Sequence, residues 1–268
     1  MLKPEAEYCP NSSITISMLE DAFNKNETVV GKVLQVDPSR RIIIVSLAPN
    51  IIGRMSWDDY TIYELRSNPV NALKIPSALR CILGKIIRVK IKSINKEHII
   101  LSRKDNMLEA LQCIRNSSCD TIYNARIMSA CSMGAFLDIG EGISALCPLR
   151  EFTCCKVALD TWVHAGERCD VVIIEPIHEE DDYKITCSRK RVDTGKYEEY
   201  QPGMIVQGHL SDPVCQDSKI TGYFVEISPN VCGIANVGGV ECNIGDIVWL
   251  KVKQVEPEKR KMHLQVIY

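Results

Sequence analysis

Residues 132–140 read Ser132-Met133-Gly134-Ala135-Phe136-Leu137-Asp138-Ile139-Gly140. In an extended strand successive side chains take opposite faces. Ala135, Leu137 and Ile139 therefore share one face, expected to be an interior, and Phe136 and Asp138 are expected outside. Further on, Gly166-Glu167-Arg168-Cys169-Asp170-Val171-Val172-Ile173 starts a second alternating strand at a glycine, and the segment closes on Thr186-Cys187-Ser188-Arg189-Lys190.

The same order recurs on both sides. Upstream, a strand over 29–36 is followed by Gly84-Lys85-Ile86-Ile87-Arg88-Val89-Lys90-Ile91 and the tail Ile100-Leu101-Ser102-Arg103-Lys104. Downstream, a strand over 204–210 is followed by Thr221-Gly222-Tyr223-Phe224-Val225-Glu226-Ile227. Then come Gly245-Asp246-Ile247-Val248-Trp249-Leu250-Lys251-Val252 and the weaker tail Met262-His263-Leu264-Gln265-Val266. In this third segment Tyr223, Val225 and Ile227 are expected inside, and Phe224 and Glu226 outside.

Three copies of about 70 residues, rich in β-branched residues and broken by turns such as Asp37-Pro38-Ser39, Gly140-Glu141-Gly142 and Glu256-Pro257-Glu258, predict short strands joined by hairpins. Five short strands hide their edges best in a small closed barrel. The expected fold is all-β: three tandem five-stranded OB-fold barrels with a short N-terminal helix and short connecting helices. The expected segments are 1–27 (N-terminal, with the helix), 28–106 (a divergent first barrel), 107–119 (a helical linker), 120–192 (the second barrel), 193–199 (a joint) and 200–268 (the third barrel). Ser17-Met18-Leu19-Glu20 has the pattern of a capping box opening the first helix, with Leu19, Ala22 and Phe23 on one face. Met107, Leu111 and Ile114 have helical spacing.

The order of glycines, aromatic and tail resembles the RNA-binding domain family named after ribosomal protein S1. The three copies together resemble the N-terminal part of the multi-repeat ribosomal protein. The resemblance implies single-stranded RNA, mRNA in particular, as the partner. It also implies docking on the small ribosomal subunit through the N-terminal helix and first barrel. The family's stacking Phe corresponds to Phe136 and Phe224. Its second aromatic, third-strand His and last-hairpin basic residue fall on Met133, Cys147 and Lys184 in the second copy. In the third copy they fall on Thr221, Asn236 and Lys261, with Arg260 beside it. In the first copy the last-hairpin position holds His98 and the aromatics have no counterpart. Lys251 completes the expected RNA-contacting set.

The physics of an outward Phe points the same way. Its face can stack on a base, and nearby Lys or Arg bind phosphate. Composition sets limits. The 268 residues are 46% hydrophobic and 25% charged, with a net charge of −2, so a basic site must be local. The balance is +5 over residues 1–118, −4 over 119–196 and −3 over 197–268. Four adjacent carboxylates at 179–182 oppose phosphate beside Lys184. Arg88, Lys90 and Lys92 share a strand face that is open to ribosomal RNA, an acidic protein or plain solvent.

No apolar run of about 18 residues predicts a membrane span, and the start lacks the pattern of a secretory signal. The expected location is the bacterial cytoplasm. The 13 cysteines include no C-x-x-C pair and are expected as reduced thiols, mostly small buried hydrophobes. Adjacent Cys154-Cys155 leaves a metal or redox reading open, but no metal or cofactor is expected. Phosphate-cradling loops, dinucleotide fingerprints and paired histidines are missing from the sequence. The expected function is non-catalytic RNA binding in translation or mRNA handling. The alternative is a protein–protein docking scaffold that has lost RNA affinity.

Overall fold

The computed structural model describes residues 2–11, 13–63, 79, 81–95, 98–155, 158–175, 184–192, 195–216 and 219–267. The acidic run at 179–182, His178 and Lys96 lie outside the described residues.

Three five-stranded OB-like barrels follow one another along a mostly β chain. The first holds β1 (Thr28–Asp37), β2 (Ile42–Ala48), β3 (Ile51–Ser56), β4 (Ile86–Ile94) and β5 (Ile99–Ser102), closed in the order β1-β2-β3-β5-β4. Closure requires β1 to serve two partners. Its first half pairs with β4 and its second half with β2, and a bulge between Val33 and Gln35 bends it between the two. β3 and β5 run parallel, with Gly53 opposite Ile99. Val33, Ile43, Val45, Leu47, Ile87, Val89 and Leu101 fill the interior.

The second sheet has the order β10-β9-β6-β7-β8. Its strands are β6 (Tyr123–Cys131), β7 (Gly134–Asp138), β8 (Ser144–Pro148), β9 (Arg168–Ile173) and β10 (Cys187–Ser188). A parallel bridge from Leu146 to Thr186 stands where the other two barrels have a full parallel ladder. The third barrel repeats the first closure in the order β11-β12-β13-β15-β14. It comprises β11 (Ile205–Gln216), β12 (Lys219–Ser228), β13 (Val231–Asn236), β14 (Ile247–Glu256) and β15 (Lys261–Val266).

The helices are α1 (Ile16–Asn24), α2 (Arg103–Arg115) and α3 (Leu149–Phe152). α1 starts earlier than the expected capping box. The Thr15 hydroxyl accepts the Met18 N–H at 3.3 Å, which leaves Ser17 inside the first turn. Leu19 and Ala22 are buried, but Phe23 is exposed. α2 also starts earlier than the linker expected at 107. Ser102 ends β5 and caps the helix by accepting the Asp105 N–H at 3.0 Å, so Arg103 and Lys104 are helical. The Ser-Arg-Lys tail is thus a strand end fused to a cap. Ser188 repeats it by accepting the Arg191 N–H at 3.1 Å.

The chain falls into two compact units. One is made of Met1–Ser117 and Asp138–Ile143, the other of Ser118–Leu137, Ser144–Pro176 and Lys184–Tyr268. Apart from residues 138–143, the second and third barrels therefore share a unit.

Candidate functional site

Ala135, Leu137 and Ile139 are buried, as are Tyr223 and Val225, while Phe136 and Phe224 are 39% and 42% exposed. The glycine two residues before each Phe has a packing reason. A Cβ on Gly134 would lie 2.3 Å from the Cys147 carbonyl oxygen, and one on Gly222 would lie 2.4 Å from that of Ala235. Only glycine lets the neighbouring strand approach this closely.

The expectation that Asp138 and Glu226 face solvent is corrected. Both sit two residues beyond an exposed Phe on its face of the strand, yet they are 7% and 2% exposed. Each is covered by groups that bind it. Glu226 accepts from Arg189 Nη1 at 2.6 Å and from the Thr153 hydroxyl. Arg189 also bonds the Phe152 carbonyl at 3.1 Å and stacks over the Phe152 ring. Asp138 accepts N–H groups from Glu5 (3.1 Å), Gly140 (2.9 Å) and Gly142 (3.2 Å). Burial, and then the charge of Glu5, still push its carboxyl up to about 6. Arg103 grips Glu5 through Nε at 2.8 Å and Nη2 at 2.7 Å. The arginines of the Ser-Arg-Lys tails are therefore clamps on carboxylates, Arg103 buried and Arg189 half-buried.

The third barrel gathers the expected residues best. Strand register puts Phe224 opposite Ile234, Ile234 opposite His263, and His263 opposite Gln254. A second row on the same face runs Gly222, Asn236, Gln265, Lys251. Phe224, Ile234 and His263 line a groove of about 480 Å³ together with Arg260, Lys261 and Lys190. Among the described residues, its lining includes no carboxylate. Arg260 projects from a left-handed turn residue (φ 50°) that brings the chain into β15. Thr221 lies off the groove, with its hydroxyl donating to the Val214 carbonyl at 3.1 Å. Asn236 accepts the Gly238 N–H at 2.8 Å while staying exposed.

The second barrel assembles fewer of them. Phe136 and Met133 are exposed on β7 and the turn before it, and Lys184 is exposed ahead of β10. Cys147 is a correction, because it is fully buried. It alternates inward on β8 beside Cys187 and so cannot meet a ligand at the surface.

The basic strand face of the first unit is also corrected. Arg88 pairs with Glu141, Lys90 with Glu109 at 2.5 Å and Lys92 with Asp59 at 2.9 Å. Lys90 is buried, and Arg88 stacks on Tyr8. These cations are largely neutralised within the unit.

Reduced thiols throughout are corrected as well, since Cys154 and Cys232 form a disulfide. Sequence reasoning passed over Ile234, His263, Lys190 and Trp249, the last 47% exposed on β14. Period-two alternation from Leu250 would have placed Trp249 and Lys251 outside together. Lys190 joins the groove only because the second and third barrels pack into one unit.

No family model matches the chain. It is 23% identical over 270 residues to a 4-hydroxy-3-methylbut-2-enyl diphosphate reductase of Clostridium tetani, which covers 92% of this chain. The chain spans 40% of the length of that curated relative. Among solved structures it is similar to a multidomain protein with nucleic acid binding domains from Streptococcus pneumoniae. There the TM-score is 0.31 with 11% identity, covering 91% of this chain and 74% of that one. A Drosophila Unr segment, CSD456, aligns with TM-score 0.20 and 10% identity over 90% of this chain and 94% of that one. At such TM-scores the fold assignment rests on the strand order and closure above. No helix among the described residues is long and apolar enough to cross a membrane.

Proposed function

We propose that this chain binds single-stranded RNA without catalysing a reaction on it, and that the outer face of the third barrel makes the principal contact. The observation that carries this reading is the row Phe224–Ile234–His263 beside Arg260, Lys261 and Lys190, in a groove whose lining among the described residues includes no carboxylate. An exposed ring offers a base a stacking surface worth about 1–3 kcal/mol. The flanking cations bind phosphates and make affinity fall with salt. Neither contact reads a base edge, so recognition is sequence-tolerant. Phe136, Met133 and Lys184 supply a second, weaker contact. Because both barrels belong to one compact unit, the two contacts reinforce each other through effective concentration. The S1-type resemblance of the three repeats extends the reading to mRNA, translation, the bacterial cytoplasm and the segmentation into barrels at 28–106, 120–192 and 200–268.

Fluorescence anisotropy of a labelled single-stranded RNA, at low and at physiological salt, tests it. Binding should be salt-sensitive, and Phe224→Ala should weaken it roughly 5- to 150-fold, the equivalent of losing one stacked base. No binding at low salt would overturn the proposal.

One observation favours a docking role for the first unit. Its clustered cations are paired internally, while α1 exposes Ile16, Met18 and Phe23. Docking on the small ribosomal subunit through α1 and the first barrel predicts co-sedimentation that survives Phe224→Ala and is lost in Met18→Asp/Phe23→Asp.

A further inference from the structure

We propose that Cys154, Cys155 and Cys232 form a three-thiolate site for a soft divalent cation of the zinc class, and that the Cys154–Cys232 disulfide is its oxidised, metal-free form. The three cysteines come from two barrels. Cys154 and Cys155 follow α3 in the second, and Cys232 lies on β13 of the third, 78 residues from Cys154. Their sulfurs all lie within 4.8 Å of one another, and Cys155 Sγ is 3.5 Å from Cys232 Sγ. Thiolates bound to tetrahedral zinc at about 2.3 Å sit roughly 3.8 Å apart. The Cys155–Cys232 edge is already near that length, and the disulfide edge has to open.

A clamp between barrels needs two sulfurs. The third is unexplained by clamping, and it is held in place. The Cys155 N–H donates to the Thr153 hydroxyl at 3.0 Å, and that hydroxyl donates to Glu226, itself fixed by Arg189. Such support around the ligands orients a metal site. Cys154 and Cys232 line the groove, so the fourth coordination position opens toward solvent there. Lys190 and Arg260 on the same groove offset the net negative charge of three thiolates on a divalent ion.

The chemistry balances with a low-molecular-weight thiol as reductant. Two such thiols are oxidised to one disulfide, and the Cys154–Cys232 bond becomes two thiols. The cation then displaces three protons to solvent.

The reduced chain, freed of reductant, would be titrated with Zn2+ against a chromophoric chelator. It should take up one equivalent that Cys155→Ser and Cys232→Ser lose, whereas Cys113→Ser, an exposed cysteine on α2, keeps it. The same equivalent should vanish when the wild type is oxidised with diamide and return on re-reduction. That arm needs no substitution and does not depend on a variant folding. Equal uptake by the reduced wild type and Cys155→Ser, or uptake unchanged by oxidation, would overturn the site. Neither outcome bears on whether the chain binds RNA.

Discussion

Glu226 shows what a single buried charge demands. At 2% exposure it is held by the Arg189 guanidinium and the Thr153 hydroxyl. Removing one partner of such a pair strands the other, at about 3–5 kcal/mol. Arg189→Met should therefore lower the urea-unfolding free energy by about that amount, and adding Glu226→Leu should recover much of it. His209 makes a second residue-scale prediction. It packs against Trp162 with ring centroids 5.5 Å apart, and its Nδ1 has no hydrogen-bond partner among the described residues. Burial is the largest influence and drives its pKa below the usual 6.5. Arg189 adds to that, and Glu226 and Glu167 oppose it. The folded state thus prefers the neutral ring. The stabilisation is complete above the unfolded value and is lost as pH falls below 6.5 toward the folded one. The urea midpoint should drop between about pH 7 and pH 5.5, and His209→Phe should flatten that part of the profile.

Among the elements, the β12–β13 pair carries both fold and site. Gly222 lets β13 approach so closely that an added Cβ would lie 2.4 Å from a backbone oxygen, which cannot swing aside as a side chain would. Gly222→Ala should cost about 1–3 kcal/mol, measurable as a lower thermal midpoint. It should also weaken RNA binding, because Phe224 and Ile234 lie in the same pairing. The Gly-x-Phe spelling was readable in the sequence, but its reason lies in the neighbouring strand. The Ser-Arg-Lys tail was readable as a repeat, but not as a cap. A cap depends on where the chain turns after the strand, and the arginine's role depends on a carboxylate brought to it by folding.

At the scale of the molecule, the Cys154–Cys232 bond ties the second barrel to the third across 78 residues. Closing a loop of that length stabilises by about 4.5 kcal/mol on the chain-entropy account. Reduction in the presence of a chelator should lower the unfolding free energy by up to about that amount. If the three sulfurs hold a cation, adding Zn2+ to the reduced chain should restore part of it. The net charge of −2 sets a second expectation. On the proposed reading RNA is held by local patches, so the slope of log affinity against log salt should correspond to a few phosphates rather than many.

Period-two alternation, turn residues and the threefold tail are local properties. They suffice for the strands, the barrels, the inward Ala135 and Leu137 and the outward Phe136 and Phe224, because a strand's two faces are set by its own backbone. The charged groups and thiols that went otherwise depend on partners far along the chain. Asp138 meets Glu5, Glu226 meets Arg189, Arg88 meets Glu141 and Cys232 meets Cys154. Burial of a charge and pairing of a thiol are energies of contact between distant segments, and only packing brings those segments together.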